Sequence, residues 1–355
     1  MRDTDYQVPR LSLCLLPVML VSFSEAGLAD AGDADARIEE IVVTSRYRAE
    51  KLSAIPDSIT AFTAADIERH RIERINGVAA LTPNLRFSDE QEVGISTLVI
   101  RGVRQNRGTG QPPVSFRIDG VSATNNLLTT QELFDIESVD VLRGPQGALY
   151  GRNAIGGAVL ISTRQPTSEP EYGIRLSAAE GNDYIVAANA SGPLGSDKLL
   201  YRAAVRLQDR DGQLENAYLD NQKVDFKESQ SFRGRLLYRP TDRLSIDLRG
   251  QYSDQDGGSG YFMPGSEGVL PLPPPAEPIF FGNPTYEIQS NRIGESFVKF
   301  SEFSAKIDYE FAWGTFTSVT SYTDVESGND QDLDQTLVDA INIIVIDDSQ
   351  TLAQE

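Results

Sequence analysis

From about residue 171 onward, apolar and polar residues alternate one for one. Phe303, Ala305, Ile307, Tyr309 and Phe311 are interleaved with Ser304, Lys306, Asp308 and Glu310. Leu244, Ile246, Leu248 and Tyr252 alternate with Ser245, Asp247, Arg249 and Ser253, and Leu199, Tyr201, Ala203, Val205 and Leu207 do so against Arg202, Arg206 and Gln208. A period of two marks strands whose two faces meet different surroundings. It predicts about seven strands, near 172–180, 183–191, 198–209, 230–239, 243–254, 301–311 and 315–326. Most have about ten residues, enough for a tilted strand to cross a bilayer. Short connections at 192–197, 240–242 and 312–314 alternate with long ones near 210–229, 255–300 and 327–349. This asymmetry, with aromatic residues at strand ends (Tyr172, Tyr238, Tyr252, Tyr309, Phe311, Trp313, Tyr322), points to transmembrane barrel strands rather than a soluble sandwich. Ile246, Leu248, Ile307 and Tyr309 are then expected to face lipid, and Arg249, Lys306 and Asp308 the lumen.

The pattern before residue 171 is different. Arg2 and Arg10 flank a basic start, Leu11–Val21 is an apolar run, and Ala29-Asp30-Ala31 supplies small residues for cleavage. Residues 1–31 therefore read as a cleaved export signal, too short for a spanning helix. From about 38 to 165 helices and short strands mix. Thr63-Ala64-Ala65-Asp66 has the form of a capping box, with Phe62 and Ile67 placed as its hydrophobic staple. Ile67, Ile72 and Ile75 continue that helix, and Asn76-Gly77 is the expected stop. Strands are expected at 97–103, 114–119 and 158–163.

Composition narrows the chemistry. The chain has 355 residues, 32 basic and 52 acidic, for a net charge of −20, which disfavours a nucleic-acid partner. One histidine (His70) and one cysteine (Cys14) cannot assemble a Cys/His metal site, a dithiol pair or an intrachain disulfide. His70 lies among Glu68, Arg69, Arg71 and Glu73, on a charged helix face with no nucleophile beside it in sequence, so it reads as a surface residue. Asp330, Asp332 and Asp334 echo a calcium loop, but Gln335 and Ile341 stand where glycine and glutamate are needed. Neither a phosphate loop nor a catalytic constellation is found, and no metal or cofactor is expected.

Three segments carry a resemblance to a known family. Ile38-Glu39-Glu40-Ile41-Val42-Val43-Thr44-Ser45 resembles a TonB box with its usual continuation. Ile100-Arg101-Gly102-Val103 and Arg117-Ile118-Asp119-Gly120-Val121 match a mid-plug IRG…DGV pair. The third segment is the most specific. It runs from Ile136 through Arg143-Gly144-Pro145-Gln146-Gly147 to Leu149-Tyr150-Gly151-Arg152-Asn153-Ala154-Ile155-Gly156-Gly157. Together they look like the TonB-dependent receptors of the Gram-negative outer membrane, closely over residues 38 to about 165 and only by pattern in the strands.

The resemblance implies an α+β plug domain followed by an antiparallel transmembrane β-barrel. Boundaries follow as a signal at 1–31, a periplasmic segment with the TonB box at 32–50, a plug at 51–168 and the first part of the barrel at 169–355. About seven strands fall short of the roughly twenty-two around a plugged lumen, so the barrel is expected to be incomplete. Gln350–Glu355 would begin another strand. By resemblance, Glu39, Glu40, Ile41, Val42 and Val43 would contact TonB by strand addition. Arg101, Gly102, Asp119, Gly120, Arg143, Gly144, Gly147, Tyr150, Gly151, Arg152, Gly156 and Gly157 would form the plug motifs. Arg143 and Arg152 would pair with an acidic lumen wall. The polar loop with Arg104, Gln105, Asn106 and Arg107 is a candidate ligand contact or an inert connector. The expected activity is uptake, not catalysis, of a siderophore, cobalamin, haem or glycan. An outer-membrane barrel enzyme and an exported β-sandwich binding protein remain the alternatives.

Overall fold

The computed structural model describes residues 42–43, 50–51, 58–89, 96–103, 112–123, 126–151, 153–259, 268–270, 279–281, 287–288, 290–332 and 342–354. The predicted signal peptide, Glu39–Ile41, Arg104–Arg107 and Arg152 lie outside them. All described residues fall in one structural unit, 40–355.

The first part is a small α+β body. A two-stranded pair, β1 (Val42–Val43) and β2 (Glu50–Lys51), precedes it in the chain. Its elements are β3 (Ser58–Thr63), α1 (Ala64–Arg69), α2 (Ile75–Leu81), β4 (Leu85–Asp89), β5 (Ser96–Ile100), β6 (Val114–Ile118), β7 (Val121–Ser122), β8 (Ile136–Arg143), α3 (Gly147–Tyr150) and β9 (Gly157–Thr163). Five of the strands form one sheet in the order β3-β8-β9-β6-β7. Its core gathers Ile75, Val78, Ile100, Val114, Val139, Val141 and Val159, all essentially buried.

The helix start obeys the sequence. Thr63 caps α1 by accepting from the Asp66 amide, and Asp66 accepts from the Thr63 amide in return. Phe62 and Ile67 are both buried in the core. The helix end does not obey it. Instead of running to Asn76-Gly77, α1 stops at Arg69 with Arg71 left-handed at φ 49°. The Ile72 amide donates to the Ile67 carbonyl and the Arg71 amide to the Glu68 carbonyl, the double closure of a Schellman end. A second helix then begins, and Gly77 lies inside it because a Cβ there would meet Ile72 Cγ2 at 3.3 Å.

The second part is a single antiparallel meander. Its strands are β10 (Glu171–Ala179), β11 (Asp183–Ser196) and β12 (Leu199–Arg210), then, after the short β13 (Glu215–Asn216) and β14 (Gln222–Lys223), β15 (Lys227–Thr241) and β16 (Leu244–Ser259). Three short strands, β17 (Gly268–Leu270), β18 (Ile279–Phe281) and β19 (Glu287–Ile288), lie in the next connection, followed by β20 (Gly294–Phe311), β21 (Gly314–Asp332) and β22 (Asn342–Gln354). The eight long strands are hydrogen-bonded in chain order.

The sheet is therefore one strand wider than the alternation predicts. The segment 342–354, expected to be mostly loop, is a full strand paired from Asp332↔Asn342 to Thr320↔Gln354. Its first half, Ile343-Ile344-Val345-Ile346, is apolar on both faces, so it carries no period of two. Several strands also extend beyond their expected outer ends. On β20 the outward residues change from uniformly apolar (Phe303, Ala305, Ile307, Tyr309, Phe311) to mixed (Ser301, Lys299, Phe297, Glu295), while Val298 and Phe300 turn inward and are buried. The reversal fits a strand that leaves the lipid and continues in water, where the apolar face must turn in. At the short-turn end Tyr309 meets Phe311 edge to face at 4.6 Å and Phe311 stacks on Trp313 at 5.3 Å, as an interfacial belt would place them.

Candidate functional site

The two motifs expected in the middle of the plug are two copies of one turn. In Ile100-Arg101-Gly102-Val103 and in Ile118-Asp119-Gly120-Val121 both central residues have positive φ (49° and 81°, then 50° and 88°). The flanking residues pair, Ile100 with Val103 and Ile118 with Val121. Positive φ at both centres is the two-residue hairpin turn that glycine at the second position permits. The third motif closes onto them. Arg117 donates to the Gly120 carbonyl at 3.0 Å and lies 5.5 Å from the Tyr150 ring centre. Gly144 and Gly156 exchange a backbone bond of 3.0 Å. At Gly157 a Cβ would sit 2.2 Å from the Leu142 carbonyl oxygen, so no larger residue fits between β8 and β9.

One of these turns reaches the barrel wall. Asp119 accepts from the Thr163 amide at 2.8 Å, the Thr163 hydroxyl at 2.6 Å and Arg249 Nη1 at 2.5 Å, with Arg235 3.9 Å away. Burial works to raise its carboxyl, but Arg249, Arg235 and the Thr163 hydrogen bonds hold it below the usual carboxylate range. Arg249 also pairs with Glu302 on the wall.

A second contact comes from 131–135, just before β8. The Glu132 side chain is fully buried; it accepts from Lys227 Nζ at 2.5 Å, from the Ser229 hydroxyl at 3.0 Å and from Arg206. Burial pushes this carboxyl up, Lys227 and Arg206 outweigh it, and the group is lowered to about 2. Asp135 takes a two-pronged contact from Arg202, at 2.7 and 2.5 Å. Arg233 donates to the Phe134 carbonyl at 2.8 Å and lies 4.4 Å over the Phe134 ring. Gln251 donates to Gln131 at 3.1 Å. Farther along, Leu128 packs against Val298, Phe300 and Val325.

The charge sense of this interface is the reverse of the expected one. The sequence placed plug arginines against an acidic lumen, yet Arg143 contacts the Pro83 carbonyl within the plug at 3.4 Å. The plug instead presents carboxylates, and the wall presents cations. Arg202, Arg206 and Arg249 sit on the polar phase of the alternation, as expected for the lumen face; Glu132 and Asp135 gave no sequence signal, being single carboxylates in an irregular stretch. Of the faces expected, Arg249 is buried and Leu248, Ile307 and Tyr309 are outward, whereas Ile246, Lys306 and Asp308 are half-buried and Lys306 pairs with Asp308. Asp330 accepts from Arg292 and Asp332 from the Ser290 hydroxyl, while Asp334, Gln335 and Ile341 lie outside the described residues. Among the described residues no cluster of His, Cys, Asp and Glu suits a metal ion. His70 is exposed at the end of α1.

A small α+β body held by ion pairs against the lumen face of a transmembrane meander defines a plugged outer-membrane barrel. Comparison with known proteins agrees. Residues 51–158 match the TonB-dependent receptor plug domain. The chain is 32% identical over 200 residues to the pesticin receptor of Yersinia pestis, covering 56% of this chain and 29% of that protein. It is 26% identical over 245 residues to the ferrioxamine B receptor of Salmonella typhimurium, covering 66% and 33%. The crystal structure of the ferric yersiniabactin uptake receptor FyuA from Yersinia pestis superimposes with a TM-score of 0.68 at 21% identity, covering 78% of this chain and 42% of that one. Residues 51–158 are thus a plug domain of the TonB-dependent receptors, proteins of the bacterial outer membrane, and the chain spans about a third of the length of these curated relatives. The eight-stranded sheet is accordingly part of a larger barrel.

Proposed function

We propose that the complete protein is a TonB-dependent transporter that takes a scarce metal chelate of the siderophore type across the outer membrane. The observation that carries the reading is the plug docked on the barrel wall through buried ion pairs; in the complete barrel such a plug would close the lumen to diffusion and call for an external energy source. The named relatives are receptors for ferrioxamine B and ferric yersiniabactin, which favours a ferric chelate over the other ligand classes that the plug motifs allow. Chemistry on the ligand is not part of the reading.

Energy coupling is assigned to Glu39–Val43, ahead of the plug. The backbone of Val42–Val43 is extended and pairs with Glu50–Lys51, and a short β-branched strand suits strand addition by TonB. The polar segment with Arg104, Gln105, Asn106 and Arg107 is assigned to ligand contact. Replacing Val42 by Pro in the complete receptor should abolish uptake of radioactive iron while leaving ligand binding at the cell surface intact. Undiminished uptake in that variant would remove the assignment.

A further inference from the structure

We propose that the lumen wall carries a latent lane for an anionic ligand, closed at rest by the plug carboxylates Asp119, Glu132 and Asp135. The inference rests on the transport reading and adds the charge class of the ligand.

Arg202, Arg235 and Arg249 are direct cross-strand partners on β12, β15 and β16. All three are buried on the lumen side. Like charges placed directly opposite each other oppose sheet formation, so this row depends on anions from elsewhere. The wall supplies some of them: Asp247 holds Arg235 at 2.6 Å, and Glu302 holds Arg249. Glu171 of β10 reaches Arg202 at 3.5 Å, and the plug adds Asp135 at Arg202 and Asp119 at Arg249. Above the row, the inward positions of β15 read Lys227, Ser229, Ser231, Arg233 and Arg235, cations and hydroxyls at every second residue. Eight residue steps from Lys227 to Arg235 cover about 26 Å of wall.

Withdrawal of the 131–135 segment would leave Lys227 and Arg206 without the carboxylate that both contact. A buried cation left unpaired is costly, and an anionic ligand descending the wall would replace the plug carboxylates one after another. Arg233 is the clearest member of the lane. Among the described residues its direct hydrogen-bond partners at rest are neutral, the Phe134 carbonyl and the Gln251 amide oxygen at 3.2 Å. Docking therefore sets this charge against a carbonyl and a ring of Phe134 rather than against a carboxylate, and a ligand carboxylate or catecholate would pair with it more strongly. The ligand class that fits is a metal chelate with net negative charge, bearing carboxylate or catecholate oxygens.

The test uses cells in which the complete receptor is the sole uptake route. Four labelled probes are offered: ferric citrate and a ferric tris-catecholate, both anionic, ferrioxamine B, which is cationic, and neutral cyanocobalamin. An anionic complex should enter, and Arg233→Gln should lower its initial rate about tenfold, the loss of one charge-assisted contact. Arg233→Lys should restore most of that rate. Both variants lose the guanidinium contact with Phe134, so hydrogen exchange at 133–136 should quicken in both alike, while only Arg233→Gln slows anion entry, a split that a merely structural role would not give. Entry of only ferrioxamine B or cyanocobalamin, or anion uptake indifferent to Arg233→Gln, overturns the lane and leaves transport standing. Absence of energy-dependent entry by any of the four removes the transport reading, and the lane with it.

Discussion

Replacing Glu132 by Gln in the complete receptor keeps the shape of the side chain and removes the charge that Lys227 and Arg206 share. Its carboxyl moves from an ordinary 4.5 to about 2 on docking, a difference worth about 3 kcal/mol. Breaking one side of a buried ion pair costs about 3–5 kcal/mol in general, so the two routes agree in scale. The sign with pH follows from the lowered value. On the acid side the contribution is present at about pH 4.5, where a released Glu132 would also be ionised, and fades as the pH falls through about 2; it lasts only while Lys227 keeps its charge. Hydrogen exchange reads the effect locally, because the Leu133 amide is held by the Glu73 carbonyl at 2.8 Å. At neutral pH a loss of 3 kcal/mol should speed exchange of the 133–136 amides by about a hundredfold, while amides of β15 and β16 stay protected. Exchange at 133–136 within threefold of the parent would refute the claim that Glu132 fastens this segment.

Three further outcomes are expected. Arg at Ile307, on the outward apolar face of β20, should cost about 2–4 kcal/mol in barrel stability, measured by denaturant unfolding in lipid vesicles; a neutral result would mean that the position does not face hydrocarbon. Gly157→Ala drives a methyl into the Leu142 carbonyl and Ile100, and should lower plug protection from protease by about 3 kcal/mol or prevent docking altogether. Thr63→Ala removes the cap of α1 and should cost about 1 kcal/mol, seen as faster exchange at Asp66 and Ile67 with the sheet unaffected.

The parts of this fold that were legible are those where a local rule meets no competitor. In-membrane strands have lipid on one side and polar lumen on the other, and Phe303–Phe311 shows the alternation without a break. Above the bilayer the same strand reverses its faces at Val298 and Phe300, and the pattern that found it inside the membrane hides it outside. The end of α1 was hidden for another reason: its left-handed position is held by Arg71, where glycine would have announced the stop. Asp119 was legible as part of a motif, and its spacing from Gly120 carries the turn signal. Its partner Arg249, some 130 positions later, is fixed only by strand register. Glu132 and Asp135 depend on that register too, which is why the polarity of the interface was misjudged.

The tight turn at Asp119 and Gly120 makes one residue answer to two demands. Its backbone must accept a left-handed conformation, which aspartate and asparagine tolerate better than most side chains, and its carboxylate must meet Arg249. Asparagine would satisfy the first demand and not the second; glutamate would keep the charge on a longer arm and lose the local fit. Because the turn is built within the plug, the carboxylate is aimed before the wall is met, and docking trades its water for Arg249 with little further ordering of the chain. The plug therefore carries its own key, cut by its hairpin.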